Sequence, residues 1–274
     1  MASHRLLDLF SGAGGAAMGY ARAGFDVVGV DNRPQKNYPF AFIQADALEY
    51  VAEHGHEYDI IHASPPCQGY SIMNNLPWLK GREYPLLILP TLDALERLGK
   101  PYVIENVMGA RYGQRGLAKR GLEDHGLQAG WLCGWMFGLP FQRHRLFASN
   151  IFWLAPGHPK HKKSPILMPT LSGNFNPFHK DGKSIVGAGN KGKGSGLILR
   201  PGYEHVEFSM PTLANWQNGA QFNGVGVGIG HAKGWHLAAE AMGIDWMTRA
   251  ELTQAIPPIY CEFIGAQLLK VLHG

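Results

Sequence analysis

Cysteine is scarce: Cys67, Cys133 and Cys261 are the three in 274 residues. So few, so widely spaced, they support neither a disulfide framework nor a zinc cluster, and no metal is expected. No apolar run approaches the roughly 18–20 residues of a membrane span, which excludes an integral helical membrane protein. The opening MASHRLLDLF lacks the apolar core and cleavage site of a secretory leader. Together with the sparse cysteines, this sets a reducing cytoplasm as the expectation. There is no internal repeat. Wholesale disorder is excluded too, because 45% hydrophobic residues suffice for a sizeable core. The length fits one large domain or up to two.

Net charge is +4, too small to indicate a partner by itself. Its placement is uneven. Lys160, Lys162, Lys163, Lys180, Lys183, Lys191, Lys193 and Arg200 crowd residues 155–202, where Asp181 is the one acid. A basic stretch on an otherwise mildly acidic chain is the footprint of a polyanion-binding surface, although a solvated flexible surface reads the same way.

Strand and helix signals alternate through the first half. Strands are expected at 6–10, 25–30, 42–46, 58–64 and 101–107, with helices at 16–23, 47–54 and 86–98. This rhythm predicts a parallel sheet covered by helices on both faces, with ligands at the carboxyl ends of its strands. Phe10, Asp31, Asp46, Cys67 and Glu105 fall at those ends. Residues 151–235 are rich in Gly, Pro, His and Lys and predict loops and short strands, hence a small second region. Thr248–Glu251 reads as a capping box, and Pro258 opens a last helix to about Leu272.

Gly12-Ala-Gly14-Gly-Ala-Ala17 fits the glycine turn of nucleotide-type cofactor sites, and Asp31 is placed to accept from ribose hydroxyls. Phe10 can stack on adenine or serve as a core aromatic. Asp46 can accept from an adenine amino group, cap the next helix, or both. Pro65-Pro66-Cys67 puts a thiol at a strand end above the crevice, as a nucleophile or a buried small hydrophobe. Glu105 closes an apolar strand, where an unpartnered carboxylate is costly; it is either ion-paired or kept for chemistry. Arg143 and Arg145, two apart on an extended strand, are expected to point the same way, where they can hold an anion or stand as surface strand charges. Cys133 and Cys261 read as buried and inert.

In their order these motifs resemble the DNA (cytosine-5) methyltransferase family, over most of residues 5–147 and the C-terminal helices. Asp8-Leu-Phe10-Ser-Gly12-Ala-Gly14 is similar to its cofactor strand, Pro66-Cys67-Gln68 with Ser71 to its Pro-Cys-Gln loop, Glu105-Asn106-Val107 to its Glu-Asn-Val, and Arg143-His-Arg145 to its Arg-x-Arg. Ala255-Ile-Pro-Pro258 is similar to the family's last motif, with Gln254 standing where the family has Asn; Phe141 departs likewise from its Gln.

The resemblance implies a Rossmann-like, S-adenosylmethionine-dependent methyltransferase α/β fold over 1–150 and 236–274. It also implies a small irregular target-recognition region over 151–235. It implies Cys67, Glu105, Arg143 and Arg145 as catalytic, and Phe10, Ser11, Gly12, Gly14, Asp31, Asn32, Asp46, Ala47, Pro66 and Gln254 as cofactor-binding. Gln68, Ser71, Lys160, Lys162, Lys163, Lys191, Lys193 and Arg200 are the expected DNA contacts. The implied reaction is methylation of cytosine C5 in a short duplex target, through base flipping and a Cys67 adduct. The chain is expected to act as a monomer in a bacterial or phage-infected cytoplasm, with a cognate restriction endonuclease a compatible partner. Rivals are a tRNA cytosine-5 methyltransferase of the same fold, a non-catalytic DNA-binding relative, and a nicotinamide oxidoreductase that shares the glycine turn.

Overall fold

The computed structural model describes residues 3–70, 83–110, 126–139, 143–159 and 235–273. Ser71 and the lysines and arginine expected to contact DNA lie outside the described residues, as does most of 151–235. Two compact units are present: Met1–Leu132, His144–Ala155 and Ala255–Gly274 form the first, Cys133–Arg143 and Pro156–Gln254 the second.

The first unit is built on a seven-stranded sheet. Its strands are β1 (Arg5–Leu9), β2 (Asp26–Asp31), β3 (Ala41–Gln44), β4 (Ile60–Ala63), β5 (Tyr102–Asn106), β6 (Gln128–Leu132) and β7 (Arg145–Ser149), in the order β3-β2-β1-β4-β5-β7-β6. The described helices are α1 (Gly15–Ala23), α2 (Ala47–His54), α3 (Ile88–Leu98), α4 (Trp235–Met242), α5 (Arg249–Gln254) and α6 (Pro258–Leu272); α4 and α5 belong to the second unit. No described helix is long and apolar enough to cross a membrane.

Strands β3, β2, β1, β4 and β5 are parallel, and β1, β2, β4 and β5 are largely buried, as the interior of such a sheet requires. These are the five strands expected from the sequence; beyond them the sheet gains an antiparallel edge. There β7 runs antiparallel to β5, and β6 antiparallel to β7. Among the described residues the β6–β7 link carries only the short 3-10 turn Gly134–Phe137 and no covering helix, so antiparallel pairing is the available geometry.

Leu7, Leu9, Val28, Val30, Ile61, Ala63 and Ile104 point to one face, where Ala47 and Val51 of α2 and Leu92 and Leu95 of α3 complete the core. Helices α1 and α6 cover the other face. They approach so closely that a Cβ on Gly19 would run into the Pro258 carbonyl and lie 2.8 Å from Cys261 Cβ. Gly19→Leu is therefore expected to destabilise the fold by about 1–3 kcal/mol, the usual penalty of overpacking. Urea denaturation measures it, and an unchanged midpoint would contradict this packing.

Local signals set the helix ends. Asp46 Oδ1 accepts from the backbone N–H of Leu48 (2.8 Å) and Glu49 (3.1 Å), capping α2. Pro258 takes the first turn of α6, where its missing N–H costs nothing. In the second unit the Thr248–Glu251 capping box forms: Thr248 N–H and Oγ1 both donate to Glu251 Oε2 at 2.7 Å.

Candidate active site

Chain order fixes where a ligand can sit in the first unit. From β1 the chain builds outward through β2 and β3, then returns to add β4 and β5 on the opposite side. The switch point lies between β1 and β4, and sheets of this topology bind ligands outside the carboxyl ends of the strands there. The glycine turn leaves β1 there, and the Ser64–Cys67 segment leaves β4 beside it.

At the turn, Phe10 takes φ +56°, the one positive value among described non-glycine residues. Such a conformation costs roughly 1 kcal/mol or more and persists only where the surroundings impose it. Ser11 N–H donates to the Val30 carbonyl (3.1 Å), holding the turn against β2. Gly12 and Gly14 follow at φ +50° and +86°, which only glycine adopts cheaply. A Cβ on Gly12 would meet nothing within 4 Å, so the turn is open at that point. Asp31 Oδ2 accepts from Gly12 N–H (3.0 Å) and Oδ1 from Arg33 N–H (2.9 Å). Each oxygen keeps a second acceptor direction, so Asp31 can still take ribose hydroxyls. Asn32 and Asp46 are exposed at the neighbouring strand ends, whereas Ala47 is buried and offers a ligand only its backbone.

Beneath the turn lies Asp8, wholly buried. Burial pushes its carboxyl well above the usual range; nearby Asp31 and, more weakly, Glu105 add to this, while Tyr38 opposes it. Neither Asp8 oxygen has a well-aligned hydrogen bond among the described residues.

Cys67 is partly exposed. Its carbonyl accepts from Tyr70 N–H at 3.1 Å, closing the turn Gln68–Tyr70, with Gln68 at the surface. The root of this segment is tied across to β5: Asn106 Nδ2 donates to the Pro65 carbonyl at 2.9 Å. The preceding residue, Glu105, is 5% exposed, and Arg145 Nε lies 3.0 Å from its Oε1. The guanidinium offsets the cost of burying that carboxylate and fixes its orientation.

The paired-arginine expectation is corrected. Arg145 opens β7 and takes Glu105, while Arg143, in the second unit, is buried and donates from Nη2 to the Thr253 carbonyl (3.1 Å). The strand starts only at Arg145, so the two-residue period does not extend back to Arg143. Gln254, also in that unit, is exposed and donates to Thr253 Oγ1 at 3.3 Å. Cys133 and Cys261 are buried as expected. Burial pushes the Cys133 thiol up to about 11 and raises the Cys261 thiol as well, which favours the unreactive thiol in both.

Sequence reasoning passed over His62. Lodged in the apolar run Ile60-Ile61-His62-Ala63, it is fully buried yet satisfied at both ring nitrogens. Tyr20 Oη lies 3.0 Å from Nδ1 and Ser64 Oγ 2.9 Å from Nε2. Burial pushes its pKa down to about 3, against roughly 6.5 in an unfolded chain. Between those values the unfolded chain holds a proton that the folded one lacks. Stability therefore falls as pH falls through that window, by up to about 1.4 kcal/mol per pH unit. His62→Phe should flatten the slope of urea-measured stability between about pH 6 and about pH 4. An unaltered slope would show that His62 does not set it.

Against this geometry, the family model for C-5 cytosine-specific DNA methylase matches residues 4–152. The chain belongs to the C-5 cytosine-specific DNA methylase family. Among its curated relatives, Type II methyltransferase M.FnuDI of Fusobacterium nucleatum is 35% identical over 79 residues, 26% of this chain and 23% of the relative. M.XorII of Xanthomonas oryzae is 32% identical over 124 residues, 39% of this chain and 29% of the relative. M.AgeI of Thalassovita gelatinovora is 25% identical over 193 residues, covering 60% and 44%. The chain thus spans less than half the length of each. Two solved structures share the fold: Schizosaccharomyces pombe Dnmt2 methyltransferase (TM-score 0.55, 14% identity, 100% of both chains) and a Spodoptera frugiperda DNMT2 mutant (TM-score 0.52, 15% identity, 99% and 100%). This methylase family fold is the α/β architecture that the alternating first half implied.

Proposed function

We propose that this methylase-family chain transfers a methyl group to C5 of a cytosine in double-stranded DNA, with Cys67 as nucleophile. The observation that carries it is the Asn106–Pro65 bond. It ties the end of β5, with Glu105, to the root of the Cys67 segment at the sheet's switch point.

Cytosine C5 is a poor nucleophile. Addition of the Cys67 thiolate to C6 makes C5 enamine-like and able to accept an electrophilic methyl; transfer of the C5 proton to water then expels the thiolate. Glu105 in its protonated form donates to N3 of the base and draws charge off the ring. Arg145 holds Glu105 in register and contacts the base O2; Arg143 braces the backbone through Thr253.

The glycine turn fits S-adenosylmethionine, because Gly12 leaves open space at the backbone and Asp31 retains acceptor capacity toward a ribose. When bound, that cofactor supplies the electrophilic methyl. Phe10, Ser11, Gly14, Asn32, Asp46, Ala47, Pro66 and Gln254 are the further residues assigned to hold it.

A base inside a duplex hides C6, so the target is flipped out at a cost of a few kcal/mol. Gln68, Ser71 and the basic residues of 151–235 are assigned to that work and to reading a short target. The chain acts as a monomer in the cytoplasm, with or without a cognate restriction endonuclease.

Bisulfite sequencing of DNA from a host expressing the gene tests this directly. Protected cytosines in one short sequence context are expected, and a tRNA assay in parallel separates the RNA alternative. Unprotected DNA beside methylated tRNA would overturn the DNA assignment.

A further inference from the structure

The catalytic proposal leaves one buried polar chain unused. Asp8 and His62 are register partners on adjacent strands β1 and β4, on the face covered by α1 and α6. Tyr20 reaches down from α1, its ring 5.1 Å from the imidazole, and its hydroxyl meets Nδ1. Nε2 meets Ser64 Oγ. Ser64 is the first residue past β4 and directly precedes Pro65-Pro66-Cys67. The other end of the chain, α1, is the helix that the glycine turn opens. Two prolines make the stretch from Ser64 to Cys67 stiff, so a shift at Ser64 is carried to the sulfur rather than absorbed.

We propose that His62 is a positioning residue that acts through Ser64: by bridging Tyr20 on the cofactor-side helix to Ser64 at the root of the nucleophile segment, it holds Cys67 in register with the cofactor turn. The proposal rests on the methyltransferase assignment above, and deepens it. A neutral imidazole suits the bridge, since it offers one donor and one acceptor to two hydroxyls of adjustable direction. Burial keeps it neutral across the working pH range. Asn106 on the Pro65 carbonyl is a second, independent clamp. Removing the bridge therefore loosens the segment without releasing it.

The test compares Ser64→Ala, Tyr20→Phe, His62→Phe and His62→Gln with wild type by two readouts. The first is single-turnover methyl transfer at saturating cofactor and DNA. The second is the rate of native-state alkylation of Cys67 by iodoacetamide, followed by peptide mass spectrometry. It is selective because the other two cysteines are buried. It also needs no methyltransferase activity, so it stands even if the functional assignment fails.

Expected are a tenfold or greater loss of single-turnover rate and at least threefold faster alkylation of Cys67 while Cys133 and Cys261 stay unlabelled. His62→Gln, which can still donate at one end and accept at the other, should recover most of both. Ser64→Ala and Tyr20→Phe each remove one hydroxyl, and keep the test intact if His62→Phe does not fold. Variants that lose thermal stability but keep wild-type rates by both readouts would reduce His62 to a core residue and overturn the proposal. A wild type that methylates nothing, with the alkylation pattern as expected, would instead reject the functional assignment alone.

Discussion

Cys67→Ser is expected to lower methyl transfer by at least about a thousandfold, or roughly 4 kcal/mol of transition-state stabilisation. The change replaces one atom in a partly exposed side chain, so folding and cofactor affinity should hardly move. What disappears is the thiolate: a serine hydroxyl without an adjacent base is essentially never ionised at neutral pH. The other two thiols cannot substitute, being buried and pushed toward the neutral form. Transfer of labelled methyl from S-adenosylmethionine to cytosine-containing DNA measures the loss, and calorimetry of cofactor binding controls for it. Activity within tenfold of wild type would remove Cys67 from the mechanism.

The second large effect is on stability. Arg145→Ala should destabilise the fold by about 3–5 kcal/mol, because Glu105 is left buried without its counter-charge. Adding Glu105→Gln should recover a substantial part of that loss, since a neutral amide needs no cation. A double-mutant cycle by urea denaturation isolates the pair. If Arg145→Ala costs less than about 1 kcal/mol, the pair behaves as an exposed one and Glu105 is not held as described. Both variants should lose activity, but the stability recovery in the double mutant separates burial from chemistry.

These effects explain which parts of the site were legible in the sequence. The glycine turn, the Asp46 cap, Pro258 and the Thr248–Glu251 box are short-range features whose residues carry their own geometry. Parallel β1, β2, β4 and β5 announce themselves by largely apolar runs, because both faces are covered. The antiparallel edge does not, since the direction of β7 depends on what links it to β6. That Glu105 needs a partner or a task follows from its place in an apolar strand, but the choice of Arg145 without Arg143 does not, because strand period cannot decide it before the strand's start is known. His62 escaped entirely: a histidine in an apolar strand has no meaning until Tyr20 and Ser64 are seen on its two nitrogens.

The most direct measurement is the intact mass of the protein after incubation with S-adenosylmethionine and a duplex bearing 5-fluorocytosine at the target. Fluorine at C5 cannot leave as a proton does, so the enzyme–DNA adduct should accumulate, with peptide mapping placing the bond at Cys67. A free protein mass, under conditions in which the unmodified duplex is methylated, would contradict covalent attack. An adduct mapped to Cys133 or Cys261 would contradict its assignment to Cys67.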